Sequence, residues 1–160
     1  MNDSLLQVAK TVGELAKQRG ILLSTAESCT GGLLSAALTH WPGSSCWFGR
    51  GYVCYQNEAK TNMLSVSSEL IKTHGAVSEP VAAAMCEGAG DYAIAITGVA
   101  GPGESENKPA GMVCFAWRAG GTTTTDTCHF HGSRREVREQ AAEHALSVMA
   151  KILKEISPVK

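Results

Sequence analysis

The sequence predicts an α/β fold: a single three-layer α/β/α sandwich with a mixed sheet, formed by one domain over residues 1–160. Three observations carry that expectation. The chain has 160 residues, the size of one ordinary domain. Helical periodicities alternate with short apolar runs through its first half, as in a partly parallel sheet covered by helices. Its second half holds an apolar run and a threonine-rich run joined by a glycine turn, which adds antiparallel strands. Neither an internal repeat nor a linker interrupts the chain.

The elements follow in order. Leu5, Val8, Val12, Leu15 and Ala16 recur at helical spacing, with Ser4 and Gln7 as a capping box and Gly20 as the stop. Ile21 to Thr25 suits a buried strand. Leu33, Leu34, Ala37 and Leu38 place a helix over Thr30 to His40, so Ser28 lies at a strand-to-helix junction. The Trp41-Pro42-Gly43-Ser44-Ser45 segment is a loop. Tyr52 to Gln56 reads as a strand, Asn57 caps a helix through Met63, and Ser67 to His74 is a short helix. Ser78-Glu79-Pro80 opens another helix with a cap, an acid and a proline, running to about Gly88. Asp91 to Thr97 is a strand, Gly98 to Pro109 a loop, and Gly111 to Trp117 a strand. The turn at Arg118 to Gly121 leads to the strand Thr122 to Phe130. Ser133 and Glu136 form a capping box for the last helix, which carries Val137, Ala141, Ala145, Val148, Ile152 and Ile156.

Composition narrows the function. Hydrophobic residues make up 44% and charged residues 18%, which fits a folded globule. The net charge of −1 gives no basic excess, so no nucleic-acid partner is expected. No apolar stretch reaches the ~20 residues of a membrane span, and no secretory pattern opens the chain. No membrane partner is expected, and the cytoplasm is the default location. The six cysteines include no Cys-x-x-Cys pair, and several sit in apolar runs, so buried reduced thiols are expected. Trp41, Trp47 and Phe48 flank a loop and suggest a contact surface, hence a homo-oligomer.

Four segments have the makings of a site. A Ser/Thr/Gly-rich strand-to-helix junction surrounds Ser28, and its N–H groups suit a phosphate, a carboxylate or a developing oxyanion. A plain capped helix start is the competing reading. No lysine follows the glycines as in a Walker loop, and the Gly-x-Ser-x-Gly elbow is absent. A serine nucleophile needs a base, and the five histidines are poorly placed for it. His40 and His74 end helices, His144 lies within one, and His129 and His131 share one face of a strand end as half of a metal site at most. Lys60, just after a strand and near Tyr55, serves as a base only where burial lowers its pKa; a solvated helix lysine is the simpler reading. Thr97-Gly98-Val99-Ala100-Gly101-Pro102-Gly103 follows a strand, where α/β sheets bind ligands. Arg134, Arg135 and Arg138 open a helix against its dipole, which suggests an anionic partner or a solvated face.

Several ordered strings resemble the C-terminal domain family of the competence/damage-inducible protein CinA, from about residue 5 to residue 155. They include Thr25-Ala26-Glu27-Ser28-Cys29-Thr30-Gly31-Gly32, Pro42-Gly43-Ser44-Ser45, Tyr55-Gln56-Asn57-Glu58-Ala59-Lys60, His74-Gly75-Ala76-Val77-Ser78-Glu79-Pro80-Val81 and Gly98-Val99-Ala100-Gly101-Pro102. Stand-alone members of the family are nicotinamide-nucleotide amidases. The resemblance implies a small-molecule nucleotide substrate, nicotinamide mononucleotide, deamidated to nicotinic acid mononucleotide and ammonia. It implies Ser28, Lys60 and Tyr55 as the catalytic residues, and an acyl-enzyme intermediate needing no cofactor and no metal. Substrate binding would fall to Thr30, Gly31, Gly32, Thr97, Gly98, Gly101 and Arg134. The chain departs from the family at Gly103-Glu104-Ser105-Glu106, where paired glycines are usual, at Gln56, and in a short stretch before Asp91. A second reading, motivated by the 103–106 change, keeps the fold as a nucleotide-binding or regulatory module without turnover.

Overall fold

The structure, a computed structural model, describes residues 1–158. Its elements are α1 (Asp3–Gln18), β1 (Leu23–Glu27), α2 (Leu33–Leu38), β2 (Phe48–Val53), α3 (Asn57–Leu64), α4 (Ser68–His74), α5 (Glu79–Ala89), β3 (Tyr92–Gly98), β4 (Met112–Ala119), β5 (Thr122–His129) and α6 (Arg134–Glu155). This is the predicted order of helices and strands, with one 3₁₀ turn added at Ser44–Cys46. The strands form an open five-stranded sheet in the order β2-β1-β3-β4-β5. β1 pairs parallel with β2 and β3; β3–β4 and β4–β5 are antiparallel. The sheet is therefore mixed.

Alternation along the strands divides the core into two layers. On one face Leu23, Ile94, Ile96, Val113, Phe115 and Trp117 meet the apolar sides of α1, α2 and α6. On the other, Ala26, Ala93, Ala95, Cys114 and Ala116 meet α3, α4 and α5. The small residues on that second face let α5 lie close to the sheet. The three indole N–H groups are all satisfied by main-chain carbonyls: Trp41 donates to Leu6, Trp47 to Leu38 and Trp117 to Ala145, each at 2.8 Å.

Several boundaries differ from the sequence reading, each for a physical reason. Asn2, not Ser4, caps α1 by accepting from the Leu5 N–H. Ser4 lies inside the helix, and its hydroxyl donates to Glu143 of α6. β1 starts two residues later than expected because Ile21 closes the helix end, its N–H donating to the Ala16 carbonyl at 2.9 Å. Gly20 takes a left-handed conformation there (φ 69°), which suits a glycine C-cap. β2 runs over Phe48–Val53 instead of Tyr52 to Gln56. It is an edge strand with mostly exposed side chains, so it has no apolar alternation to read. Gln56, not Asn57, occupies the N-cap position of α3. Trp47 is buried and Trp41 and Phe48 are partly buried against the core, so the loop does not carry three exposed rings.

The Trp47 ring lies directly on α1 at Gly13, where an added Cβ would come within 2.6 Å of it. A Gly13→Ala variant is therefore expected to lose about 1–3 kcal/mol through overpacking, despite alanine's better helix propensity. The loss would be read as a lower urea midpoint at unchanged m-value. An unchanged or raised midpoint would show that the contact is not tight.

Candidate active site

A cleft of about 300 Å³ lies where β1 and β3 end. Ser28, Cys29, Tyr55, Lys60, the loop from Thr97 to Glu106 and Arg134 line it. Ser28 extends β1 by one residue, its N–H donating to the Ile96 carbonyl at 3.0 Å. The chain then turns sharply, with the Gly31 N–H donating back to the Ser28 carbonyl at 3.0 Å. Gly31 and Gly32 have φ of 59° and 98°, conformations that glycine takes without strain.

The buried Glu27 fastens this turn. Its carboxylate accepts from the Thr30 hydroxyl at 2.8 Å, the Leu34 N–H at 2.8 Å, and the N–H and hydroxyl of Ser35 at 2.9 and 2.6 Å. Glu27 thereby does for α2 what an N-cap does, since Gly32 has no side chain to do it. Arg138 of α6 clamps the same turn by donating to the Cys29 and Thr30 carbonyls at 3.1 and 3.0 Å.

Lys60 is 1% exposed and Ser28 8% exposed. The Lys60 Nζ donates to the Cys54 carbonyl at 3.0 Å and the Tyr55 carbonyl at 3.2 Å, and lies 3.2 Å from the Ser28 Oγ. Burial pushes the Lys60 ammonium down from its ordinary value, against smaller upward pulls from Cys54, Glu106 and Cys29. The three partners match the three N–H donors of an ammonium, and the Ser28 hydroxyl itself lies 3.5 Å from the Tyr55 carbonyl. Once one proton is lost, the two remaining N–H bonds can serve the two carbonyls and the lone pair can face the Ser28 Oγ. The neighbouring Cys29 thiol is a poor rival nucleophile, because burial pushes it up to about 12.

The other residues singled out in the sequence divide into two groups. Gly98, Gly101 and Arg134 line the cleft. Arg134 bridges its rim, donating to the Gly101 carbonyl at 2.6 Å and to the Tyr55 hydroxyl at 2.8 Å. Tyr55 thus holds Lys60 through its main chain while its half-exposed phenol faces Arg134. Thr97 lines the cleft but spends its hydroxyl on the Ala76 carbonyl at 2.9 Å. Thr30, Gly31 and Gly32 are not brought to the cleft, and the N–H groups at the start of α2 are taken by Glu27 and by the turn. Arg135 is exposed and pairs with Glu139 at 3.3 Å.

Three residues have roles that the sequence reading did not assign. Glu27 and Arg138 hold the turn. Glu106 accepts from the Ala76 and Val77 N–H groups at 3.2 and 3.3 Å and pairs with Lys108 at 3.7 Å, latching the cleft loop to the α4–α5 connection. For Glu27 the available signal was an acid directly after a run expected to be a buried strand. Among the described residues, the one cluster of three metal-ligating side chains (Asp126, Cys128 and His144) lies outside the cleft.

Comparison with known proteins fits this geometry. The family model of the CinA C-terminal domain matches residues 5–153. Nicotinamide-nucleotide amidohydrolase PncC of Escherichia coli K12 is 48% identical over 157 residues, covering 93% of this chain and 95% of that protein. A putative competence-damage inducible protein of Symbiobacterium thermophilum is 50% identical over 90% of this chain, which spans only 37% of that longer relative. A CinA-superfamily crystal structure from Klebsiella pneumoniae superposes with a TM-score of 0.93 at 36% identity, covering 98% of this chain and 100% of that one. A second, from Escherichia coli, gives a TM-score of 0.89 at 35% identity, covering 96% and 93% of the two chains. The chain belongs to the CinA C-terminal domain family.

Proposed function

We propose that this chain is an amidohydrolase that converts nicotinamide mononucleotide to nicotinic acid mononucleotide and ammonia, a step of pyridine nucleotide salvage. The observation that carries the reading is the 3.2 Å approach of a buried Lys60 Nζ to the Ser28 Oγ inside the cleft. The amidohydrolase named for nicotinamide nucleotide in Escherichia coli, similar over nearly the whole chain, supports the substrate class.

The chemistry runs as acyl transfer. Neutral Lys60 takes the Ser28 proton while Oγ attacks the carboxamide carbon. The N–H of Cys29, which lines the cleft next to Ser28, is the donor this reading gives to the oxyanion. The Lys60 ammonium returns its proton to the leaving nitrogen, the C–N bond breaks and ammonia departs. Lys60 then deprotonates a water, whose oxygen attacks the acyl carbon; the bond to Ser28 Oγ breaks, Lys60 returns the proton to Oγ, and the acid is released. The two carbonyls on Nζ hold the amine in place throughout. Arg134 is the cation at the rim for the substrate phosphate. Cytoplasmic residence belongs to the same reading, supported by six unpaired cysteines. No helix among the described residues is long and apolar enough to cross a membrane.

Ser28→Ala and Lys60→Met should each lower ammonia release from nicotinamide mononucleotide by at least about 10³-fold. Activity within tenfold of the parent chain in either variant would remove the pair from the mechanism. Because the working form of Lys60 is the deprotonated one, kcat/KM should rise with pH as Lys60 loses its proton. Burial lowers that pKa, so the rise should come below the ordinary lysine value of 10.5. A rise that tracks an unshifted lysine would contradict the burial argument.

Arg134→Ala should raise KM for the nucleotide by about tenfold with a smaller change in kcat, as loss of an ion-paired contact does. An equal KM would move the phosphate elsewhere. Self-association is also part of the proposal, through the exposed apolar side chains of Val53, Tyr55 and Met63, which are 46%, 53% and 47% exposed. A monomer mass on a sizing column would exclude it.

A further inference from the structure

At the far edge of the sheet, β5 and α6 bring three unlike donor atoms to one point. Asp126 and Cys128 stand two residues apart on β5 and so share a face, the one turned toward α6. The alternate residues Thr125 and Thr127 point the other way and donate to Glu79 of α5 at 2.6 Å each. His144 meets the first pair from α6. Its Nε2 lies 3.4 Å from the Cys128 Sγ and 3.2 Å from the Asp126 Oδ2, and the Sγ lies 3.5 Å from the same oxygen. The imidazole is held by Phe115, Trp117 and Phe130, with ring centroids 4.8, 5.9 and 6.2 Å away.

A thiol, an imidazole and a carboxylate invite comparison with a nucleophilic relay, and the geometry argues against one. A relay places the nucleophile on one ring nitrogen and the acid on the other. Here both meet Nε2, so the acid cannot orient the ring for the thiol. A closed triangle of three donors is instead the shape of a coordination face.

We propose that Asp126, Cys128 and His144 bind one zinc-class divalent cation through Oδ2, Sγ and Nε2, with a solvent molecule in the fourth tetrahedral position. Zinc bonds of about 2.3 Å to sulfur and about 2.0–2.1 Å to nitrogen and oxygen, at tetrahedral angles, give ligand separations of about 3.6 Å (S to N), 3.3 Å (N to O) and 3.5 Å (S to O). The observed edges of 3.4, 3.2 and 3.5 Å differ from these by about 0.2 Å or less, so the ion fits with little movement of the ligands. Thiolate and imidazole favour zinc or cobalt over magnesium and calcium. Binding forms the metal–sulfur bond and releases the Cys128 proton to solvent. None of the three residues lines the Ser28 cleft, so the ion would brace the edge strand against α6 and take no part in the chemistry. His129 and His131, the pair noted in the sequence, are not part of this cluster.

The test is titration of the reduced, metal-free full chain with Co²⁺. The expected result is a thiolate-to-cobalt charge-transfer band together with tetrahedral d–d bands, saturating at one ion per chain. Zn²⁺ should abolish both and an equal concentration of Mg²⁺ should not. Cys128→Ser should lose the charge-transfer band. Asp126→Asn changes an exposed side chain and should leave the fold intact while weakening binding at least about tenfold, the scale reached by losing even a supporting group around a metal. Cys46→Ser, which alters the exposed cysteine, should bind as the parent chain does. No charge-transfer band, a band surviving in Cys128→Ser, or equal affinity in Asp126→Asn would each overturn the proposal. Because the readout is spectroscopic, its failure would leave the amidohydrolase reading untouched.

Discussion

The fully buried Glu27 carboxylate is the constraint around which the cleft is organised. Leaving such a group unpaired inside a protein costs several kcal/mol, so the chain after β1 must return to it. It does so within eight residues, delivering four donors from Thr30, Leu34 and Ser35. Glutamine would not serve equally, because its amide nitrogen would face donors at one of the two positions. The return path forces Gly31 and Gly32 into left-handed conformations and leaves Ser28 at the exit of the strand. A short helix with no cap of its own and the sharp turn after Ser28 are thus consequences of one carboxylate.

Lys60 is the complementary case, a buried cationic group with acceptors around it. Three partners surround Nζ, and two of them are carbonyls that cannot give a proton. The Ser28 hydroxyl can, so once the amine has lost its proton the serine and Lys60 are a matched donor and acceptor. Burial favours the same state by penalising the ammonium. Glu106 pulls weakly the other way, and its carboxylate is already occupied by Ala76, Val77 and Lys108. Glu106 therefore latches the cleft loop to the α4–α5 connection.

What was legible in the sequence follows from which forces are local. Helix caps at Ser78 and Ser133 depend on residues three positions apart, and both were readable; the cap at Ser67 has the same form. The buried strands β3 and β4 announced themselves as apolar runs. β2 did not, because an edge strand with exposed side chains has no apolar period. The burial of Lys60 was also unreadable. Helix α3 has a weak apolar face, and the partners that enclose its lysine come from Ser28, Cys54 and Tyr55, brought together by the sheet. The first-turn arginines of α6 had been open to two readings, an anionic partner or a solvated face. Arg138 follows a third path into main-chain carbonyls of the Ser28 turn, a use that needs residues more than a hundred positions apart.

Helix α6 ties these features into one body. Its capping box at Ser133 and Glu136 fixes where the helix begins, so Arg134 emerges at the cleft rim and Arg138 one turn later at the Ser28 turn. His144 lies ten residues beyond Arg134, about 15 Å along the axis. There the helix meets the edge strand through the Asp126–Cys128–His144 cluster and the aromatic rings around it. A slide of α6 along its axis would draw Arg134 from Gly101 and Tyr55 and Arg138 from Cys29 and Thr30 together. The contacts that resist such a slide include the packing of α6 on α1, α2, β3 and β4 and the histidine's anchorage on β5. The edge of the sheet, remote from the chemistry, is therefore a place where the position of the rim arginines is held.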